Sequence, residues 1–375
     1  PQDIADDTNR ISALGDFESV TFEVSGSVEE SVVAFHPTEK SWGPNFVSFD
    51  LGLGWSEGGD AAFVLRGSHR REWLNDLGGE WRNIAQIGTD IEFETSVYQP
   101  LEAQQHFFIQ PRLRFERYFE DIYDDGDRLA EYEFDQYYGE LDLGYNLDTR
   151  AQFRLGFQQS WNKSEQQTRS EDLVPETDTV HESNLRAQIK YDTRSSPGLA
   201  SKGALVALRY LDSGDWWGGD QDFGSVEGLA AFALPFRGDT VNVFAAGGKE
   251  TNGDMPGYRL FRVGGIRSFP GLETHQLRGD SYWLAGANYN WRLAEIQTLF
   301  DQALYAGLRL TAGEVEGRID DVDDDLLAGL ALSLNGRTPI GPFILSVAAV
   351  NNDSWALQLS IGRPIREGSI VDEIR

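Results

Sequence analysis

The fold is decided by stretches such as residues 326–335, LLAGLALSLN, in which leucine and alanine alternate with small or polar residues. Residues 355–362, WALQLSIG, and residues 46–55, FVSFDLGLGW, show the same two-residue period. Successive side chains of a β-strand point to opposite faces, so each stretch has one apolar face. In a soluble sandwich that face lies in an interior, whereas in a membrane barrel it faces lipid and the polar face lines the lumen.

Composition narrows the choice between these architectures. The chain has 375 residues, of which 40% are apolar and 40 are glycine. No run approaches the roughly 18 consecutive apolar residues of a spanning helix, but a barrel strand needs an apolar residue only at alternate positions. The absence of cysteine excludes a disulfide framework and any thiolate site. The net charge of −29 argues against a nucleic-acid partner, because phosphate binding requires clustered Lys and Arg.

About sixteen strand candidates follow the Gly43-Pro44 break, an even number that is typical of bacterial outer-membrane barrels. They centre on Phe49, Val64, Ala85, Phe93, Phe108, Tyr138, Leu155, Ala187, Val206, Leu229, Val243, Ala285, Tyr305, Leu330, Val347 and Leu359.

Long polar connections alternate with short turns along the chain, which is also typical of these barrels. The long ones are predicted at 162–179, 212–222, 251–280 and 314–325, and short ones at 146–150, 236–239 and 335–341. Aromatic residues near strand ends predict interfacial girdles, although aromatics are common in strands generally. They are Trp55, Tyr98, Trp161, Trp291 and Trp355.

The first forty residues differ from the rest. A short helix is predicted over residues 4–14, ended by Gly15, and two strands follow around Phe22 and at residues 32–35. This α+β piece is too small to be a complete domain. The predicted fold is therefore all-β: a partial domain at 1–40, a transmembrane antiparallel barrel at 41–365 and a C-terminal tail at 366–375.

Two motifs, TEKSWGPNF at 38–46 and LNDLGGEWR at 74–82, together resemble the C-terminal half of patatin-like outer-membrane phospholipases of type V secretion. Segments 192–203, 264–269 and 338–342 resemble the broader superfamily of POTRA-plus-barrel assembly factors and two-partner transporters. The resemblance implies a 16-stranded barrel in the outer membrane of a Gram-negative bacterium, with residues 1–40 as a periplasmic POTRA remnant. It also implies a covalently linked patatin lipase upstream, homodimers, and contacts with outer-membrane lipids and lipopolysaccharide.

In that superfamily the long loop folds into the lumen and carries a Val/Ile-Arg-Gly-Phe/Tyr motif. Here Ile266, Arg267 and Phe269 match the motif, while Ser268 stands in place of the glycine. The resemblance implies a structural lock in which the arginine pairs with an inward-facing acid on a neighbouring strand.

The acid implied for this lock is Asp301, and Asn288 stands where the family often has a glutamate. A guanidinium offers a rigid donor fork that a carboxylate can accept with both oxygens. The alternative is that Arg267 is a solvated loop arginine. Neither reading gives the loop a catalytic role.

Other motifs carry no chemistry that we expect this chain to use. GWSEG at 54–58 matches a nucleophile elbow around Ser56, but it closes a strand and opens a hairpin, whereas an elbow joins a strand to a helix. The acidic run 321–325 lacks the glycine and glutamate of a calcium-binding loop. The histidines have no metal-ligand spacing. No metal, cofactor or active site is predicted.

Three functions remain open from the sequence. The first is a membrane anchor and export module for a patatin-like lipase autotransporter, with the lumen occupied by the inward-folded loop. The second is an outer-membrane protein-assembly factor or two-partner secretion transporter. The third is a passive porin.

Overall fold

The structure, a computed structural model, describes residues 17–26, 31–39, 43–57, 61–124, 127–168, 177–195, 200–297, 301–317, 326–338, 341–362 and 370. The strands in these ranges are β1 (Phe17–Gly26), β2 (Ser31–Glu39), β3 (Asn45–Ser56), β4 (Ala62–Arg71), β5 (Glu80–Gly88), β6 (Ile91–Pro100), β7 (Phe107–Asp124), β8 (Asp127–Leu147), β9 (Ala151–Gln166), β10 (Thr177–Asp192), β11 (Gly203–Ser213), β12 (Phe223–Phe236), β13 (Asp239–Gly253), β14 (Phe261–Val263), β15 (Leu277–Gly279), β16 (Ser281–Gln297), β17 (Asp301–Glu316), β18 (Leu327–Thr338), β19 (Gly341–Val350) and β20 (Trp355–Gly362). One 3₁₀ turn, Asp215–Trp217, lies between β11 and β12.

Sixteen of these strands form a closed antiparallel barrel. The strands follow chain order from β3 to β13 and from β16 to β20, and β20 pairs with β3 to close the wall. Closure satisfies the backbone hydrogen bonds that an open sheet edge would leave unpaired in lipid. The predicted all-β barrel is confirmed, and each of the sixteen predicted strand centres lies in one of its strands.

The alternation that predicted the strands also sets the two faces of the wall. Leu330 and Leu332 of β18 are exposed on the outer surface, whereas Ala331 between them is buried. In β20, Trp355 is exposed on the outer face, whereas Gln358 and Ser360, which belong to the alternate set of positions, are buried on the inner face. The apolar face is therefore the outside of the barrel and the small or polar face is the inside, as a membrane barrel requires.

The loop lengths are less segregated than the sequence predicts. The long connection between β13 and β16 lies at the end of the barrel opposite the start of β3, as expected. However, ten residues separate the end of β10 from the start of β11, at the end of the barrel where short turns were expected. β9 and β10 also run well into the predicted 162–179 loop, because they continue to pair with each other up to Thr177 and Ser164.

The aromatic residues at strand ends divide between the two faces. Trp55, Trp161, Trp291 and Trp355 are exposed on the outer wall, where a lipid interface would contact them. Tyr98 instead packs against Phe108, which is fully buried, and the centroids of the two rings are 4.7 Å apart.

Two short sheets complete the described structure. β1 and β2 form an antiparallel pair, as predicted for the N-terminal piece. The predicted helix at 4–14, the acidic run 321–325, and the tail at 366–375 apart from residue 370, lie outside the described residues. In the described part, no helix is long and apolar enough to cross a membrane.

Candidate functional site: a loop anchored inside the barrel

The connection between β13 and β16 is packed inside the barrel. It contains the β14–β15 hairpin and buries Phe261, Phe269 and Leu272 against the inner wall. Glycine on the wall strands makes this packing feasible. A Cβ atom built on Gly248 would lie 2.6 Å from the Phe261 ring, and one on Gly329 would lie 2.9 Å from the Phe269 ring.

The first anchor of the loop is Glu120 on β7. Its carboxylate forms ion pairs with Arg262 Nε, at 2.9 Å, and with Arg278 Nη2, at 2.6 Å. His275 Nδ1 lies 3.5 Å from the same carboxylate. All four side chains are at least nine-tenths buried. Burial lowers the pKa of His275, with Arg262 and Arg278 acting in the same direction, although contact with Glu120 opposes the shift. Two guanidinium groups therefore share one buried carboxylate, which neutralises only part of their charge.

The second anchor is Glu182 on β10. The Tyr258 hydroxyl donates to its Oε1 at 2.7 Å, and Arg259 Nε contacts Oε1 and Oε2 at 3.3 and 3.1 Å. Ser160 and Asn184 on the wall also donate to Oε2, each at 3.2 Å. Burial, reinforced by the neighbouring carboxylate, raises the pKa of Tyr258 far above its ordinary value, so its hydroxyl stays a donor.

Backbone carbonyls near the loop tip accept hydrogen bonds from side chains on β17 and β20, across the barrel from the two anchors. Arg309 Nη2 donates to the Ser268 carbonyl at 2.6 Å, and Gln358 Nε2 donates to the Leu272 carbonyl at 2.9 Å. The loop is thus attached to several sectors of the barrel. A displacement of the loop would break contacts on β7, β10, β17 and β20 together.

The structure places the predicted lock residues as follows. Phe269 is fully buried, and Ile266 and Arg267 are half-buried. Arg267 and Asn288 line one cavity of about 150 Å³. Asp301 begins β17, opposite Gln297, but its side chain lies outside the described residues. The Arg267–Asp301 pair therefore stays a prediction.

Sequence reasoning missed both anchors. Glu120 and Glu182 lie on the inward-facing register of long strands, which alternation alone could have indicated. Nothing in the sequence indicated that Arg259, Arg262 and Arg278 bind these particular acids, because the partners are far apart along the chain. Ser56 of the apparent elbow ends β3, and its hydroxyl donates to Glu273 at 2.7 Å.

Arginines on the inner face of the wall form a second group of ion pairs. Arg112 Nη1 lies 3.0 Å from Glu140 Oε2, and Arg186 bridges Glu140 and Asp142 at 3.1 and 3.2 Å. Arg154 also contacts Asp142, at 3.2 Å. These ion pairs link β7, β8, β9 and β10 on the inner face. Among the described residues, no cluster of three or more ligand-type side chains could hold a metal ion.

A closed sixteen-stranded barrel with an apolar exterior, a charged interior and an inward-anchored loop defines an outer-membrane β-barrel protein. Residues 82–363 match the Omp85 superfamily domain, and the chain belongs to that superfamily.

Solved structures share this fold at low sequence identity. BamA from Haemophilus ducreyi lacking POTRA domains 1–3 superposes with a TM-score of 0.71 at 13% identity, covering 96% of this chain and 77% of that chain. CdiB from Escherichia coli gives a TM-score of 0.62 at 14% identity, covering 92% of this chain and 67% of that chain. CdiB from Acinetobacter baumannii gives 0.60 at 12% identity, with coverage of 92% and 65%. No curated protein matches the sequence significantly.

Proposed function

We propose that this barrel belongs to an outer-membrane protein-assembly factor or two-partner secretion transporter and acts on other polypeptides. The similarity of the fold to BamA and CdiB supports this class. The observation that carries the proposal is the seam between the first and last barrel strands, β3 and β20.

In the described part, this seam pairs over a short register. It runs from Gly52 opposite Gly362 to Ser56 opposite Gln358. The neighbouring β3–β4 seam runs from Asn45 opposite Arg71 to Gly54 opposite Ala62. Because its register is shorter among the described residues, we infer that the β3–β20 seam separates more easily than the β3–β4 seam. A wall that separates there would give a polypeptide lateral access between lumen and membrane.

The anchored loop in the lumen makes a passive porin the less favoured function. The Glu120 and Glu182 anchors hold the inward loop with buried, charge-assisted bonds across the channel. Opening a wide diffusion path would require breaking these bonds, which is costly when partners remain buried.

Disulfide locking of the seam tests the proposal. The natural chain has no cysteine, so Leu53→Cys with Ile361→Cys, which lie opposite each other across β3–β20, introduces a single candidate disulfide. Leu51→Cys with Leu65→Cys across β3–β4 is the matched control. Each double-cysteine variant would replace the natural protein in cells. The readouts are the abundance of other outer-membrane proteins and the secretion of exported partner proteins.

We expect the oxidised β3–β20 pair to lose one of these activities and to recover it on reduction. The β3–β4 pair should retain activity in both states. Full activity with the β3–β20 seam locked would overturn the proposed role of the seam. If deletion of the gene changed neither readout, the function class itself would be rejected.

We propose the patatin-like anchor as a second candidate, with residues 1–40 as a periplasmic POTRA remnant. The resemblance of the motif at 74–82 supports it. In the structure this motif forms a turn, in which Asn75 Oδ1 accepts from the Leu77 amide at 3.1 Å and Gly78 has φ +79°. The motif thus has a defined structural role as a turn. The sequence encoded before residue 1 tests this candidate, because a patatin lipase there would favour it and several POTRA domains would favour assembly or two-partner secretion.

A further inference from the structure

An internal cavity of about 660 Å³ lies between the inward loop and the wall formed by β4 to β12. It extends from Tyr258 and Arg262 of the loop to Gln152 and Lys190, close to the β8–β9 turn. That turn is at the end of the barrel opposite the loop's entry. The cavity is therefore a vestibule on the side of the lumen that the loop leaves unfilled.

Arginine is the most frequent residue type among those that line this cavity. We define the basic vestibule by Arg112, Arg114, Arg154, Arg186 and Arg209, which all line the cavity. Their side chains are 20%, 26%, 21%, 23% and 38% exposed.

The carboxylates that pair with these arginines are more deeply buried than the arginines, although Glu116, Asp142 and Glu227 also line the cavity. The side chains of Glu140 and Asp142 are 0% and 3% exposed, and those of Glu116 and Glu227 are 9% and 8% exposed. Each arginine thus has a buried acidic partner and still presents part of its side chain to the cavity. A guanidinium has five N–H donors, and one carboxylate engages at most two of them in a fork.

This cluster of arginines occurs in a chain whose overall net charge is −29. In the pairs of the basic vestibule the positive partner is the more exposed one. Arg66 and Glu92, which also line the cavity, are the exception, at 9% and 17% exposed. Low-dielectric walls around such a surface strengthen its attraction for anions.

We propose that the basic vestibule binds soluble polyvalent oxyanions of the phosphate type. Guanidinium groups on β7, β9, β10 and β11 would each donate N–H bonds to the oxygens of the anion, and the buried carboxylates would hold the guanidinium planes in place. This binding is separate from the proposed action on polypeptides and does not require the seam to separate.

The test is titration calorimetry of the folded, detergent-solubilised barrel with sodium tripolyphosphate at low ionic strength. We expect saturable binding that weakens as salt is added. Arg114→Gln with Arg209→Gln should weaken it by at least about tenfold, which corresponds to about 1.4 kcal/mol, because two charged hydrogen-bond donors are removed. The charge-conserving Arg114→Lys with Arg209→Lys should stay within about threefold of the natural protein.

Lys163→Gln is the matched control. Lys163 lies on the same strand as Arg154 but on the outer-face register, where it pairs with Glu165, and it does not line the cavity. It should leave tripolyphosphate binding unchanged. Absence of binding to the natural protein would overturn the proposal, as would equal weakening by Lys163→Gln. Resistance to sodium dodecyl sulfate before heating verifies that each variant is folded, and a variant that is not folded is replaced by the single Arg209→Gln exchange with the same expected direction.

Discussion

Arg262 and Arg278 lie directly opposite each other in the β14–β15 pair, although both carry positive charge. Like charges at facing positions destabilise a hairpin. Here both guanidinium groups reach the same Glu120 carboxylate, so the hairpin is adapted to its position inside the barrel. The loop conformation depends on an acid on the opposite wall.

Removing that acid should release the loop. Glu120→Gln would leave two buried arginines without their carboxylate, and breaking a buried pair from one side costs about 3–5 kcal/mol. We expect faster proteolysis within residues 254–280 and a lower unfolding midpoint in urea. Glu133→Gln, on the outer face of β8, removes the same charge and should change neither measurement by a comparable amount.

Acidification should weaken the docking of the loop through His275. Its pKa is lowered in the docked state, mainly by burial, so the undocked loop binds a proton more readily. Docking is therefore fully stable above the ordinary histidine pKa of about 6.5 and weakens as the pH falls below it, by up to about 1.4 kcal/mol per pH unit.

Hydrogen exchange of the loop amides at pH 7.5 and 5.5 measures this effect. His275→Asn should reduce the difference in exchange between pH 7.5 and 5.5, because asparagine does not titrate in this range. Asparagine also tolerates the φ of 60° at this position. An unchanged pH difference in this variant would assign the effect to other groups.

Two wall glycines should be intolerant of larger residues. Gly248→Val and Gly329→Val would place atoms against the Phe261 and Phe269 rings, where a Cβ alone comes within 2.6 and 2.9 Å. Overpacking of this kind costs about 1–3 kcal/mol. Gly228→Ala is the control, because its Cβ would meet Leu208 at an ordinary 3.5 Å. Urea midpoints of the folded barrels compare the three.

The Arg267–Asp301 lock is testable by a double-mutant cycle. Arg267→Ala, Asp301→Ala and the double variant should show a coupling of about 0.5–3 kcal/mol if the two side chains interact. Additive effects on the free energy of unfolding would leave Arg267 as a cavity-lining residue beside Asn288 and would remove the lock.

The sequence by itself determined the barrel. A two-residue period is a local property, and each strand carries it independently, so the strand centres and the lipid-facing and lumenal faces could be predicted in residues such as Leu330 and Ala331. It also indicated that the 251–280 loop folds inward, through the resemblance of residues 266–269 to a family motif. The extra length of β9 and β10 was missed because polar strands beyond the apolar band lack the alternation that marks a membrane segment.

Only the tertiary structure decided which charges meet. Glu120 and Arg262 come together because the barrel closes and a loop from one side crosses to the opposite wall, and no local pattern encodes that distance. The same closure brings arginines from several strands to one cavity, next to acidic partners that are more deeply buried. Ion pairing across a lumen depends on strand order and register around the whole ring, whereas alternation depends only on the geometry of a single strand.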